Sequence, residues 1–143
     1  MIGVIVYWQE EATQGLGAKK LLSFYRLTAK AFGCTNLITI GKDTPECSDQ
    51  EITYEKFSSL KEAAKAYSKA KIVVLSANRG APLQEFKHPQ DDVFYVIGND
   101  YGDVPEGDLV GLKSRTSFIN IPTPRSIPLW AHVALGIVLY GRQ

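Results

Sequence analysis

The chain has 143 residues, of which 45% are hydrophobic and 22% charged, and its formal charge is +1. That length suits one domain, residues 1–143, with a core large enough to bury most of its apolar surface. The composition excludes a disordered or fibrous chain, and no apolar run approaches the roughly 18 residues that cross a bilayer. The near-neutral balance does not advertise nucleic-acid binding, which would have to rest on a local basic patch. Cys34 and Cys47 have no metal-ligand spacing and no histidines beside them, so they read as reduced thiols in a cytoplasmic protein. The opening residues 1–8 are too short for a signal peptide and lack its basic start.

Residues 2–8 are nearly all β-branched or aromatic, which predicts a central strand buried on both faces. A polar loop with two glycines follows. From residue 18 to 32, Leu21, Leu22, Tyr25, Ala29 and Phe32 recur at three-and-four spacing, the mark of an amphipathic helix. Gly33 closes it. Residues 37–40 form a second strand, completing a strand–helix–strand unit. A short strand is predicted at 51–54. A serine-capped helix at 58–68 has Leu60, Ala63, Ala64 and Tyr67 on one face. Residues 71–76 are again a buried strand. The stretch 77–92 contains Gly80, Pro82 and Pro89 and reads as a long loop, a kind that is commonly functional. Strands follow at 93–97 and 117–121, with a short helix after Pro105 between them. The last helix, 128–140, has Pro128 in its first turn. Alternating strands and helices predict an α/β fold, an open and mostly parallel sheet with helices on both faces.

The chemistry-bearing motifs are few. Gly15-Leu-Gly17 lies between a strand and a helix, where a phosphate could sit on the helix N-terminus, but the third glycine of a dinucleotide fingerprint and the Lys-Ser/Thr of a P-loop are missing. His88 and His132 are far apart and have no Cys or Asp cluster at ligand spacing, so no metal is expected. No serine sits in a nucleophile elbow. The strongest pattern is a pair of strand ends, at Gly98 and Pro122, that leave bare backbone where a parallel sheet binds its ligand.

Three segments, in order, resemble the signature motifs of the SPOUT superfamily, and specifically its SpoU/TrmH-type RNA 2′-O-ribose methyltransferases. They are Thr28-Ala-Lys-Ala-Phe-Gly33, Val96-Ile-Gly-Asn-Asp-Tyr-Gly-Asp-Val-Pro105, and Ile119-Asn-Ile-Pro-Thr-Pro124 with Val133-Ala-Leu-Gly-Ile-Val-Leu-Tyr140. The resemblance covers residues 15–140. It implies a C-terminal deep trefoil knot, which physical priors alone would never suggest. It also implies S-adenosyl-L-methionine as cofactor, an RNA substrate (tRNA or rRNA), and a homodimer. Carried onto this chain, the cofactor would touch Leu75, Ser76, Ala77, Ile97, Gly98, Asn99, Asp100, Gly102, Ile121, Pro122 and Leu129.

The chain also departs from the family. Leu27 stands where the first motif has arginine, and Trp130 where the third has asparagine. Asp100 replaces a glutamate, and the turn glycine is displaced to Gly102. These changes spare the cofactor backbone and fall on substrate-handling positions. Arg26, Arg79, Arg125 and Ser126 are the candidates for the substitute roles, with Arg26, Arg125 and Ser126 taken as catalytic, because a guanidinium can hold an RNA phosphate and lower the proton affinity of an acceptor hydroxyl. Lys19, Lys20, Arg26 and Lys30 could form a basic stripe on the first helix. The alternative is a catalytically divergent SPOUT-like protein that binds the cofactor or RNA without transferring methyl groups. A further possibility is an unknotted flavodoxin-like nucleotide-binding domain. The last helix is apolar nearly all round, as expected of a helix with a core on one side and a second copy on the other.

Overall fold

The β-branched runs build the sheet. In the computed structural model, which describes residues 1–9, 15–98, 102–125, 127 and 129–143, seven strands pair. They are β1 (Ile2–Tyr7), β2 (Asn36–Ile40), β3 (Thr53–Phe57), β4 (Lys71–Leu75), β5 (Ala81–Pro82), β6 (Val93–Ile97) and β7 (Thr116–Asn120). Their order is β3-β2-β1-β6-β4-β7-β5, and every pairing is parallel. Alternate residues of each strand point to opposite faces, and both faces are covered. Val4, Val6, Val73, Tyr95 and Ile97 pack under α1 (Ala18–Ala31) and α3 (Ala131–Arg142). Ile5, Ile38, Val74, Phe94 and Val96 pack under α2 (Leu60–Ala66) and the turn that follows Pro105.

The sequence signals for the helices act locally. Gly33 leaves α1 at φ 81°, a conformation that disfavours a Cβ. The N–H groups of Gly33 and Cys34 donate to the carbonyls of Lys30 and Ala29. Ser59 caps α2 by accepting the Glu62 N–H at 3.1 Å. The other end of α2 is held by Arg115. Its Nε donates to Ala70 O at 3.0 Å, Nη1 to Ala64 O at 3.0 Å, and Nη2 to Tyr67 O and Ala70 O at 2.6 and 2.8 Å. A cation on the last carbonyls of a helix satisfies acceptors that the helix itself cannot. Arg115→Met should therefore cost about 2–3 kcal/mol, seen as a lower urea midpoint, with Arg115→Lys recovering only part. An unchanged midpoint would contradict this account.

α1 and α3 run side by side in the same direction. The rings of Phe24 and His132 lie 5.3 Å apart, and those of Phe32 and Tyr140 lie 6.5 Å apart. Between them, Gly136 faces Thr28 Cγ2, which a Cβ there would meet at 3.8 Å. Each rung steps four residues on both helices, one turn at a time.

Three expectations need correction. The third strand is Thr53–Phe57, beginning two residues after the predicted start. The last helix begins at Ala131 and extends to Arg142; Pro128 lies outside the described residues. The loop 77–92 is not structureless, for it carries β5 and a one-turn helix at Leu83–Glu85. Gly80 and Pro82 hid that strand, since both residues normally argue against one. Its place at the sheet edge, paired only with β7, is where proline is tolerated. β5 belongs to the connection from β4 to β6 yet pairs on the far side of β7, so that connection must cross β7. The crossing is tight: a Cβ on Gly80, at φ +104°, would lie 2.4 Å from the Phe118 carbonyl. Asn120 Nδ2 fastens it by donating to Gly80 O at 2.8 Å.

Candidate functional site

The C-terminal ends of β4, β6 and β7 open into one cleft of about 150 Å³. Its floor is Leu75, Ile97, Ile119, Ile121 and Ala131, with Ala134 behind. These side chains follow from register: Leu75 pairs with Ile119 across β4 and β7, and Val74 with Val96 across β4 and β6. The rim is Ala77, Gly102, Asp103 and Leu129, all exposed. Ser76, buried, and Gly98, half-buried, join floor to rim.

Two features fix the shape. Gly102 lies so close to Gly98 that a Cβ on Gly98 would stand 2.2 Å from the Gly102 carbonyl oxygen. That contact is to backbone and cannot be relieved by a rotamer. Asp103 then ties the returning loop to the end of β4. Its Oδ2 accepts from Ser76 Oγ at 2.9 Å, and its Oδ1 from Ala77 N–H at 3.3 Å. Ser76 N–H donates to Ile119 O at 2.9 Å, and Ser76 Oγ accepts from Asn78 N–H at 3.2 Å. Beside the cleft, Arg79 lies over the Phe118 ring at 3.6 Å and pairs with Glu106 at 2.7 Å.

Of the eleven residues proposed for the cofactor, Leu75, Ser76, Ala77, Ile97, Gly98, Gly102, Ile121 and Leu129 lie on these walls. Pro122 is exposed and does not line the cleft. Asn99 and Asp100 lie outside the described residues. Sequence reasoning did not single out Asp103, Ile119, Ala131 and Ala134. Ile119 could have been found from strand register, and the alanines from the three-residue step Ala131 to Ala134 on one helical face. Asp103 gave no such signal, because its carboxylate matters only once the loop has folded back.

The proposed catalytic residues are not gathered there. Arg26, on α1, donates from Nη1 to Asp49 at 2.6 Å, and Lys30 Nζ donates to the same oxygen at 3.0 Å. The basic stripe is thus half neutralised, leaving Lys19 and Lys20 as its exposed members. Asp49, with a side chain only 5% exposed, also accepts the Glu51 N–H at 2.8 Å. That N–H, then the Lys30 ammonium and the Arg26 guanidinium, hold the carboxyl well below the usual carboxylate range. A depressed folded pKa means its stabilisation is complete above the unfolded value of about 3.9 and fades as pH falls below it. The stability gap between wild type and Asp49→Asn should hold from neutral pH to about pH 5 and then narrow progressively as pH falls below about 4 toward the depressed folded value. A gap independent of pH in urea titrations would refute this. Arg125 is exposed and does not line the cleft, though it falls in sequence between Ile121 and Leu129, which do. Ser126 lies outside the described residues.

Among the described residues there is no group of three or more His, Cys, Asp or Glu placed to hold a metal ion, and no helix long and apolar enough to cross a membrane. Cys34 and Cys47 are both free thiols. Burial pushes the Cys34 thiol up to about 11, which leaves it without the thiolate that reactive cysteines need.

No family model matches the sequence, and no curated protein matches it. Solved structures do. One concerns the 2-OH methylation of C/U34 on tRNA, with TM-score 0.74 and 20% identity over 99% of this chain and 88% of that one. The A. aeolicus TrmH/SpoU tRNA modifying enzyme gives TM-score 0.71 at 17% identity, over 99% of this chain and 72% of that one. The SpoU methyltransferase AviRb from Streptomyces viridochromogenes, in complex with AdoMet, gives TM-score 0.74 at 18% identity, over 98% of this chain and 56% of that one. The chain has the fold of the TrmH/SpoU methyltransferases.

Proposed function

We propose that this protein is an S-adenosylmethionine-dependent RNA methyltransferase acting on a ribose 2′-hydroxyl of tRNA or rRNA. The observation that carries the reading is the cleft at the ends of β4, β6 and β7, in a fold that AviRb uses with AdoMet. The residues present fit such a cofactor. Ile97, Ile119 and Ile121 offer an apolar slot for a planar base, and Gly98 and Ala77 bring main chain close enough to hydrogen-bond its edge and ribose. The chemistry that the bound cofactor supplies is a methyl group on a positively charged sulfur. The chain's own work is to hold that group in line with the hydroxyl. Arg125 would grip the neighbouring phosphate and favour the oxyanion, and Ser126 would help to position the ribose. With Arg26 paired to Asp49, the exposed Lys19 and Lys20 would supply the positive charge that meets the RNA backbone on this helix.

Two structural proposals accompany this. The connection between β4 and β6 crosses β7, and its later part is fastened to the end of α3. Arg142 Nη1 donates to Pro89 O at 2.6 Å, and Leu83 lies against Gly141, where a Cβ would meet it at 3.0 Å. These contacts support a C-terminal trefoil knot. The exposed apolar face of α3 supports a homodimer, and reduced cysteines support a cytoplasmic setting. The 143 residues would form a single domain.

Calorimetry with S-adenosylmethionine tests the cofactor, and failure to bind would end the reading. Transfer of tritiated methyl to bulk RNA from a strain lacking this protein tests the reaction. Binding without transfer would favour the alternative, a divergent SPOUT-like binding protein.

A further inference from the structure

Asp103 is the one charged side chain among the described residues that line the cleft. The geometry points to it as the group that distinguishes a cationic methyl donor from its neutral product. This inference rests on the cofactor reading above.

The cleft is polarised. Its floor, Ile97 and Ile119 with Ala131, is apolar and buried, and its rim at Ala77, Gly102 and Asp103 is exposed. A planar base would fit the floor. The reactive sulfur would then lie toward the rim, because an RNA hydroxyl must approach its methyl group in line and cannot reach the floor. Asp103 stands at that rim, and its carboxylate is already oriented. Ser76 Oγ donates to one oxygen at 2.9 Å and Ala77 N–H to the other at 3.3 Å. An ionised carboxylate has about four acceptor directions, so each oxygen retains capacity for a ligand. A pre-oriented charge beside apolar walls attracts a cation with little reorganisation.

S-adenosylmethionine carries a sulfonium, whereas S-adenosylhomocysteine carries a neutral thioether and is otherwise alike. In the transfer, the ribose oxygen forms the new C–O bond and the C–S bond breaks. Its electron pair stays on sulfur, which becomes neutral, and the hydroxyl proton leaves to water. Asp103 takes no proton in this step. Its attraction for the ligand ends when the charge does, so it favours substrate entry over product retention.

Calorimetry on the full chain, as wild type, Asp103→Asn and Asp103→Ala, tests this with both ligands. Asn keeps an acceptor for Ser76 but removes the charge, and thermal melting confirms that each variant is folded. S-adenosylmethionine should bind about fivefold more weakly to Asp103→Asn. S-adenosylhomocysteine should change by less than about twofold. Added salt should narrow the wild-type preference. Equal losses for both ligands would mean that Asp103 reads a group they share, and would overturn the inference, as would no change in either. Wild-type protein that binds neither ligand would overturn the cofactor reading itself and this inference with it.

Discussion

Gly98→Ala should abolish tight binding of S-adenosylmethionine while the protein still folds. The added methyl would stand 2.2 Å from the Gly102 carbonyl oxygen, well inside any tolerated contact. Because the obstacle is main chain, Gly102 must move away from Gly98. Asp103 moves with it and loses its bonds to Ser76 and Ala77. Three walls of the cleft shift together, so affinity should fall by at least about tenfold, the effect of roughly 1.4 kcal/mol. Strain of this kind costs about 1–3 kcal/mol of stability, or several degrees in Tm for a chain of this size. Gly107→Ala is the control, since a Cβ there meets nothing within 4 Å and the position lies away from the cleft. It should leave both affinity and Tm nearly unchanged. Full cofactor affinity in Gly98→Ala, measured by calorimetry, would show that the loop does not need this close approach.

Gly98 also shows what the sequence could reveal. A glycine ending a β-branched run marks a place where main chain is bare, and the strand before it is unmistakable from Val93 to Ile97. The central strands, both long helices and the three strand ends at the cleft were legible for the same reason: each is a local pattern of burial. What was not legible depends on contacts between distant segments. β5 exists only because residues 81–82 reach across to Ile119 and Asn120, and nothing in Gly80-Ala-Pro82 announces a partner. Asp103 gave no signal of its own, because its role requires the chain to return to Ser76. Arg26 looked free on a helix surface, since Asp49, 23 residues away, gives no sign in sequence that it will meet it. Short-range periodicity thus located the pocket, while the charges around it were set by tertiary pairing.

The other large effect is expected at α3. Leu135, Val138 and Leu139 face the core, yet Val133, Ile137 and Tyr140 are 42%, 37% and 72% exposed. Trp130 precedes them at 50%. Positions 130, 133, 137 and 140 step by three and four, so they form one stripe along the helix. A contiguous stripe of that length is what an interface would cover, unlike scattered surface residues. A two-fold axis would cover it with the same stripe from a second copy, the commonest solution for identical chains. Val133→Asp combined with Ile137→Asp should therefore convert a dimer to a monomer in light scattering, because each buries an unpaired charge against apolar side chains. The opening of this helix also walls the cleft, through Leu129, Ala131 and Ala134. Dimerisation would hold that wall in place, so the double variant should also bind S-adenosylmethionine more weakly. By linkage, the cofactor should tighten the wild-type dimer. Wild-type protein that is monomeric at high concentration, or a double variant that remains dimeric, would rule out this face as the seam. A monomeric variant with unaltered cofactor affinity would keep the seam but remove its connection to the cleft.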